Sequence, residues 1–230
     1  MPVIHPYKKF DEFLIAVDCI IFGFDGETLK ALFVKRGFEP EKGRWSLMGG
    51  FVKLEETIDQ AAIRILELLT GLNHIYMEQL YCFGDLDRDP AGRVVSIAYF
   101  AVINIEDHSR HLLKTHNAKW FPINKVPGLV FDHKKMLLLA KDRLKQRSFN
   151  HPVGFELLPT KFTLQQLQNL YEAIFESSFD KRNFIKKILS LDILQRLSEK
   201  NKGSSKKGSF YYVFDEKKYK KLEKEGVKFI

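Results

Sequence analysis

The sequence has few of the features that mark secreted, membrane-spanning or disulfide-rich proteins. Its 230 residues include two cysteines, Cys19 and Cys82, too few for a disulfide framework or a cysteine-based zinc site, which predicts a reducing cytoplasmic location. The longest apolar stretch, residues 13–24, is interrupted by Asp18 and falls short of the roughly 20 residues of a membrane span. Residues 1–10 lack the continuous apolar segment of a signal peptide. We therefore expect no membrane partner.

Charge is unevenly distributed along a chain that is otherwise typical of a folded protein. The hydrophobic fraction of 45% excludes a disordered chain, and the length suits one large or two small domains. The formal net charge is +8, and most of the basic excess falls in residues 151–230, concentrated in residues 180–209. A basic excess at one end suggests a polyanion partner for that end. A solvated lysine-rich surface is the alternative that charge alone leaves open.

The first part of the chain, residues 1–150, is predicted to be an α/β domain. Strand-like and helix-like patterns alternate, which favours layers of helix and sheet. The Asp25-Gly26 pair predicts a hairpin between the first two strands, and Gly71 predicts a helix end. The predicted strands are 14–24, 29–36, 80–84 and 94–105, and the predicted helices are 57–70 and 133–146.

The second part, residues 151–230, shows a different order of elements. Residues 147–154 lose periodicity and contain Pro152, so we predict a linker there and a domain boundary near residue 150. Thr163 and Gln166 form a capping box that begins a helix, and Asp180 is a good N-cap for a second helix. The first helix is predicted to end near 176 and the second near 191, followed by strands 194–197 and 210–214 around a lysine-rich loop, 200–208. This order is that of an α+β winged helix-turn-helix.

The second of these helices has a polar face suited to DNA. Arginine pairs with guanine edges, asparagine pairs with adenine edges, and lysine neutralises phosphate. Lysines at the hairpin tip suit the DNA backbone or a minor groove. An ordinary amphipathic helix with a solvated face is the alternative. The predicted contacts to double-stranded operator DNA are Lys181, Arg182, Asn183, Lys186, Lys187, Lys202, Lys206 and Lys207.

A second motif lies in the first domain. Residues 45–52 (WSLMGGFV), followed by Glu56, Arg64 and Gly71, resemble the Nudix signature G-x5-E-x7-R-E-U-x-E-E-x-G-U, where U is a bulky aliphatic residue. Aligned from Gly50, the spacing is fully kept, and the glutamate, the arginine and the second glycine of the signature are present. The resemblance implies a Nudix α/β/α sandwich.

The acidic residues of the second half of this signature are missing. Their positions hold Ile65, Leu68 and Leu69, whereas Mg²⁺ or Mn²⁺ needs hard oxygen ligands. Without metal, the charge that develops on a cleaved pyrophosphate has no support, so we predict that hydrolase activity is lost. We predict no catalytic residue, no metal and no cofactor, and we interpret Glu56 and Arg64 as a structural ion pair. The alternative is an active hydrolase of a nucleoside diphosphate derivative such as ADP-ribose, using acids from the set Glu55, Glu56, Glu67 and the loop 85–89.

A degenerate Nudix domain followed by a winged helix resembles the Nudix-related (NrtR-like) transcriptional regulators. Residues 83–93 (FGDLDRDPAGR) and 95–99 (VSIAY) resemble a loop and a strand of this branch. Further similar stretches are 154–159 (GFELLP), 162–168 (FTLQQLQ), 171–173 (YEA) and 180–184 (DKRNF). The resemblance implies a homodimeric repressor that senses a small sugar or sugar-nucleotide effector and then releases DNA.

Two effectors follow from two branches of this family. One branch senses ADP-ribose and controls NAD metabolism; another, from Bacteroides-like bacteria, senses L-arabinose and controls sugar catabolism. Residues 18–24 (DCIIFGF), 45–51 (WSLMGGF) and 69–72 (LTGL) resemble the arabinose branch more closely. A third possibility is an interaction module whose basic helix docks an acidic protein.

The effector is expected in the Nudix cleft, where a sugar needs polar partners and an aromatic wall. Trp45 is alternatively a core residue, and residues 87–89 are alternatively an exposed salt-bridged turn. The predicted effector-binding residues are Arg44, Trp45, Glu56, Asp85, Asp87 and Arg88, with Phe51 and Phe83 as further apolar walls.

Overall fold

The computed structural model describes residues 9–72, 75–105, 117–201 and 208–224. The first domain contains a seven-stranded sheet within these residues. Its strands are β1 (Leu14–Phe24), β2 (Leu29–Lys35), β3 (Trp45–Ser46), β4 (Met48–Phe51), β5 (Glu78–Phe83), β6 (Val94–Asn104) and β7 (Ala118–Pro122). Two helices belong to this domain, α1 (Ile58–Thr70) and α2 (His133–Asn150).

The sheet is mixed, and β1 lies at its centre. Its order is β3-β2-β1-β6-β5, with β4 paired to β1 and β7 paired to β2. The long β1 and β6 strands pair in parallel over their full lengths, and the remaining pairings are antiparallel. The β1–β2 connection is the predicted hairpin, in which Thr28 donates to the Asp25 carboxylate.

Side chains alternate along a strand, so β1 presents apolar residues to both faces of the sheet. One helix covers each face. Val17, Cys19 and Ile21 of β1 pack with α1 on one face. Ile20 and Phe22 pack with α2 on the other face. This arrangement is the predicted α/β/α sandwich.

The helix α1 begins and ends where the sequence predicts. Thr57 and Gln60 form a reciprocal capping box at its first turn, and Gly71 ends it with a φ of 74°. Glycine adopts this left-handed conformation without the steric cost that a Cβ would impose.

The second domain has the predicted winged-helix order. Asp180 caps α4 by accepting from the backbone of Asn183, and the sheet order is β8-β10-β9. Its elements are a 3₁₀ turn (Val153–Leu157), β8 (Phe162–Thr163), α3 (Leu164–Phe175), α4 (Lys181–Ser190), β9 (Leu194–Asn201), β10 (Ser209–Phe214) and α5 (Glu216–Lys224).

The two domains share a hydrophobic core. The cluster that contains the α2 face of the Nudix sheet continues into Leu170 and Tyr171 of α3 and Ile188 of α4. At its rim, Lys141 of α2 lies 2.6 Å from the Glu176 carboxylate at the end of α3. The winged helix is therefore packed onto α2.

Several local features differ from the sequence-based expectation, which did not include the strands β3, β4 and β7. The predicted linker at 147–154 is wrong in its first half, because α2 continues to Asn150 with Ser148 fully buried. The charged tail forms α5, whose Tyr219 and Leu222 pack on the shared core three residues apart.

None of the helices in the described part of the chain combines the length and hydropathy that a membrane-spanning helix needs.

Candidate effector cleft and nucleic-acid interface

A buried ionic cluster lies between β1 and the start of α2. The guanidinium of Arg88 contacts both carboxylate oxygens of Asp132, with Nε–Oδ2 at 3.0 Å and Nη2–Oδ1 at 2.9 Å. The same Nη2 lies 3.7 Å from Oδ2 of Asp18, which also accepts a 2.6 Å hydrogen bond from Ser96 Oγ. All four side chains are buried, so the carboxylates are held by direct partners instead of water.

His133 completes this cluster in a defined protonation state. Its Nδ1 accepts a 3.1 Å hydrogen bond from the backbone N–H of Leu47, so the ring proton resides on Nε2. That nitrogen lies 3.5 Å from Oδ1 of Asp18. Burial lowers the pKa of His133 despite the two neighbouring aspartates, which keeps the ring neutral at pH 7.

The ionic cluster borders a cleft that opens to solvent. Its inner part is lined by Asp18, Arg88 and His133, and its outer part has a volume of about 640 Å³. This volume falls in the usual range of small-molecule sites. The residues that line both parts are Arg36, Phe38, Phe51, Asp89 and Val94.

The paired glycines of the Nudix motif make room on both faces of the sheet. A Cβ on Gly49 would lie 2.1 Å from Oδ1 of Asp18, and one on Gly50 would lie 2.3 Å from Cδ1 of Ile65. Gly49 pairs directly with Asp18 across β4 and β1. Any larger residue at position 49 would therefore displace the buried carboxylate.

Glu56 and Arg64 form a two-point ion pair that ties the Nudix loop to α1. Nε of Arg64 lies 2.7 Å from Oε2 and Nη2 lies 2.5 Å from Oε1 of Glu56. The same Nη2 donates to the Phe51 carbonyl, and Lys53 N–H donates to Glu56. The hydrogen bond from Arg64 lowers the pKa of Glu56 to about 2, so this carboxylate stays ionised and engaged.

Three positions on α1 where the Nudix signature has acidic residues carry apolar side chains in this chain. Ile65 is buried in the sheet core, Leu69 packs against it, and Leu68 is exposed. Glu67, one position away, is exposed, as is Glu55. Among the described residues, no three His, Cys, Asp or Glu side chains are grouped as metal binding requires.

The structure separates the six predicted effector residues. Arg88 lines the cleft, and Arg88 and Asp89 are buried, so the alternative of an exposed turn is wrong for both. The other five lie outside the cleft lining. Arg44 forms an ion pair with Glu41 at 2.6 Å, and Glu56 forms one with Arg64. Asp85 and Asp87 are exposed to solvent. Trp45 packs edge-on against Phe121, and none of these five predicted residues lines the cleft. Of the predicted walls, Phe51 lines the cleft, whereas Phe83 packs against Tyr81.

Sequence reasoning did not assign to the effector cleft four residues that line it, Asp18, Arg36, Asp89 and His133, nor the buried Asp132 that binds Arg88 beside it. One signal was available, since Asp18 interrupts an otherwise apolar central strand, and a buried carboxylate there needs a cationic partner. The partners come from distant parts of the chain, and no local pattern marks them.

The predicted DNA-binding residues of α4 form one exposed face. Lys181, Arg182, Asn183, Lys186 and Lys187 are all exposed, while Phe184 and Ile188 are buried on the opposite side against α3. The Lys181 ammonium donates to the side-chain oxygen of Gln165 on α3 at 2.7 Å. Among the described residues, no comparable side-chain hydrogen bond or ion pair engages the side chains of the other four. The predicted hairpin lysines Lys202, Lys206 and Lys207 lie outside the described residues.

The fold and these two surfaces define a class of protein: a Nudix domain joined to a winged helix. Comparison with family models agrees with both parts. Residues 12–140 match the NUDIX domain, and residues 154–214 match the NrtR DNA-binding winged helix domain. The chain belongs to the NrtR-like family of Nudix and winged-helix proteins.

The similar proteins include a transcriptional repressor and a hydrolase, the two functions that the sequence leaves open. The "ADPR responsive transcriptional repressor NtrR" of Acinetobacter baylyi is 31% identical over 214 residues, which cover 90% of this chain and 85% of that protein. An ADP-ribose pyrophosphatase of Methanocaldococcus jannaschii is 37% identical over 134 residues, which cover 56% of this chain and 76% of that protein.

Solved structures of the same family are similar to this chain in fold. Shewanella oneidensis NrtR complexed with a 27mer DNA has a TM-score of 0.79 at 26% identity, covering 94% of this chain and 97% of that chain. The NUDIX domain of the same protein complexed with ADP ribose has a TM-score of 0.54 at 32% identity, covering 60% of this chain and 92% of that chain.

Proposed function

We propose that this chain is a DNA-binding transcriptional repressor that senses a sugar-containing effector in its Nudix cleft and acts in the cytoplasm. The observation that carries the proposal is the exposed basic face of α4, presented by a winged helix whose core is continuous with the Nudix sheet. A regulator needs both a DNA-contacting surface and a mechanical link to its sensor, and this chain has both features. The name of the Acinetobacter relative supports the same function.

Operator binding requires two such surfaces in the proposed assembly. We propose a homodimer, paired through the Nudix domains, with each α4 in a major groove and half-sites about one DNA turn apart. The effector then favours a dimer geometry in which the helices no longer match the operator. Such coupling is typically worth about 1–3 kcal/mol, which is the difference in effector affinity between the two states.

Two effectors are to be distinguished. ADP-ribose is supported by the Acinetobacter repressor and by the Shewanella NUDIX domain complex. L-arabinose, with control of sugar catabolism, is supported by the likeness of residues 18–24, 45–51 and 69–72 to the arabinose-responsive branch. Both contain a pentose, so both are compatible with a cleft that offers charged hydrogen-bonding groups beside aromatic rings.

We propose that the hydrolase activity of the Nudix box is lost. Ile65, Leu68 and Leu69 stand where the signature has acids, and the remaining Glu56 is engaged by Arg64. A divalent metal would lack its oxygen ligands on α1, so water activation and charge neutralisation would lack support. The rival function is supported by the kept Glu56 and Arg64 and by the Methanocaldococcus pyrophosphatase.

Fluorescence anisotropy on DNA from upstream of the protein's own gene cluster tests the proposal. We expect tight, sequence-selective binding that either ADP-ribose or L-arabinose releases, and weak binding to a scrambled duplex. Equal, salt-sensitive binding to every sequence contradicts the proposal. Binding to an acidic protein that excess DNA does not compete away supports an interaction module instead.

A parallel assay separates regulator from enzyme. The protein is incubated with ADP-ribose and Mg²⁺ or Mn²⁺, and release of AMP is followed. We expect no turnover above the rate without protein. Turnover that Glu56→Gln abolishes supports the rival hydrolase, and turnover that Glu56→Gln leaves unchanged excludes Glu56 as its catalytic acid.

A further inference from the structure

We propose that α5 carries a second DNA-contacting surface, a stripe of three lysines that binds phosphates flanking the half-site contacted by α4. The stripe consists of Lys217, Lys221 and Lys224. This inference rests on the proposed operator binding and extends it to a helix outside the matched domains. The match to the NrtR winged helix domain ends at residue 214, and α5 begins at Glu216.

The lysines of the stripe lie on one face of α5 because of their spacing. At about 100° per residue, positions 217, 221 and 224 fall within an arc of about 60°. Tyr219 and Leu222 lie on the opposite side of the helix, and both pack on the shared core. All three lysines are exposed. The stripe therefore faces away from the core.

The positive charge of the stripe is not neutralised by nearby carboxylates. Residues 216–224 include five lysines and two glutamates. Lys220 pairs with Glu216 at 2.6 Å, and Lys218 pairs with Asp192 at 2.8 Å. Within the described residues, no hydrogen bond or ion pair engages the side chains of the three stripe lysines. Their ammonium groups are therefore available to an external anion.

The start of α5 is fixed beside the C-terminal end of α4. The backbone N–H of Asp215 donates to the Ile193 carbonyl at 2.8 Å, just after α4 ends. The Lys218–Asp192 ion pair joins the first turn of α5 to the same turn of the chain. A duplex that lies along α4 continues past the end of that helix, so the stripe is placed for the phosphates of the flanking DNA.

The length of the stripe matches the spacing of a DNA backbone. At a rise of about 1.5 Å per residue, Lys217 and Lys224 are about 10 Å apart along the helix. One strand of B-DNA carries one phosphate per about 3.4 Å of its axis, so the stripe matches about three phosphates. Lysine acts as a point charge and does not read base edges, so these contacts add affinity without sequence preference.

Other anionic partners fit this face less well. A helix that binds a lipid surface buries its apolar face in the membrane, whereas Tyr219 and Leu222 of α5 are already packed on the core. The centres of protein–protein interfaces are depleted of lysine, whereas this face consists of lysines. DNA is the polyanion that the adjacent face of α4 also suits.

Anisotropy titrations of the full chain on two duplexes test the inference. One is the shortest duplex that retains selective binding, and the other adds about ten base pairs of arbitrary sequence, about one turn, at each end. The test variant combines Lys217→Gln, Lys221→Gln and Lys224→Gln, because glutamine is a good helix former. We expect it to bind the longer duplex at least about tenfold more weakly at about 0.1 M salt. Its binding to the shortest duplex should be unchanged.

The salt dependence gives a second measure of the same contacts. On the longer duplex, the slope of log affinity against log salt should fall by about one unit for each lysine that contacts a phosphate. The corresponding triple Lys→Arg variant keeps the charge and should keep the affinity of the unmodified chain. Unchanged circular dichroism shows that α5 is still folded in each variant.

A matched triple variant in the Nudix domain controls for net charge. Lys42→Gln, Lys53→Gln and Lys134→Gln together remove three exposed lysines. We expect this variant to bind both duplexes as the unmodified chain does. If it weakens binding as much as the α5 variant, the charge acts at long range and the inference is overturned.

The remaining outcomes separate the inference from the proposed function. An equal loss on both duplexes, or no loss on either, overturns the inference; the second result indicates a solvated face or a site for an acidic protein. The repressor function stands in both cases if selective binding still depends on Arg182. Equal binding to operator and scrambled DNA contradicts the repressor function, whereas a stripe-dependent preference for longer duplexes supports the inference even then.

Discussion

Arg88 and Asp132 form a buried two-point ion pair that joins the loop after β5 to the residue that precedes α2. A second ion pair, between Asp85 and Lys135 at 3.3 Å, joins the same loop to the first turn of the same helix. The two pairs differ in solvent exposure, since the first is buried and the second has both side chains mostly exposed. This contrast provides a matched test of what burial does to an ion pair.

We expect Arg88→Met to lower the free energy of unfolding by about 3–5 kcal/mol, because it leaves the carboxylates of Asp132 and Asp18 buried without a cation. Urea denaturation measures this change. Lys135→Met is the control and should cost less than about 1 kcal/mol, because water solvates the remaining carboxylate. Equal costs for the two variants would contradict the buried state of Arg88.

The α4 face predicts two kinds of DNA-binding defect. Arg182→Ala should cost about 1–3 kcal/mol of binding free energy at particular base pairs of the operator and relax specificity there. Lys186→Ala should weaken all sequences alike and reduce the dependence of log affinity on log salt by about one unit. Anisotropy titrations at several salt concentrations separate the two.

A charge-matched control excludes a general electrostatic effect on DNA affinity. Lys53→Ala removes an exposed positive charge from the Nudix loop, far along the chain from α4. We expect it to leave both the affinity and the salt dependence unchanged. If it matches Lys186→Ala, the basic charge acts at long range and α4 is not the contact surface.

The Glu56–Arg64 pair predicts a pH-dependent contribution to stability. The pKa of Glu56 is about 2 in the folded chain, against an ordinary value of 4.5. The carboxylate therefore stabilises the fold fully above about pH 4.5, and this contribution is lost as the pH falls from 4.5 towards 2. Glu56→Gln should be less stable than the unmodified chain at pH 7, with a difference that shrinks below pH 4.5.

Urea midpoints measured at pH 7, 4 and 2.5 check the Glu56 prediction. Glu55→Gln is the control, because Glu55 is an exposed neighbour, and its variant should match the unmodified chain at each pH. A difference for Glu56→Gln that persists undiminished at pH 2.5 would show that charge is not its cause.

The shared core predicts that the two domains unfold together. Leu144 of α2 is fully buried in the cluster that joins the Nudix sheet to α3 and α4. Leu144→Ala should therefore lower the free energy of unfolding by about 2–5 kcal/mol and move the unfolding transition of both domains to a lower urea concentration. The fluorescence of Trp45 and Trp120, both in the Nudix sheet, should change at the same urea concentration as the helical circular dichroism.

Separate transitions for the two signals would instead indicate domains that unfold independently. The domain boundary near residue 150 stays a prediction, because the core is continuous across it and α2 reaches Asn150. A chain cut at the boundary would expose Leu170, Tyr171 and the other α3 residues that pack on α2.

The sequence alone determined the elements whose signals are local. A run rich in β-branched and aromatic residues predicted β1, the capping box at Thr163 predicted α3, and Asp180 predicted the start of α4, because each signal acts within one turn or one strand. The signature spacing from Gly50 to Gly71 likewise indicated the Nudix fold. The α5 helix escaped prediction because its apolar residues, Tyr219 and Leu222, are too few to mark a helix in a charged segment.

The tertiary structure alone decided which polar residues meet at the cleft. Asp18 lies on β1, Arg36 follows β2, Asp89 lies in the loop after β5, and His133 is the first residue of α2. These residues are separated by tens of positions in the chain, and the pairing of strands brings them together. Whether a carboxylate is buried, as that of Asp89 is, or exposed like that of Asp87, depends on packing that a local pattern does not encode.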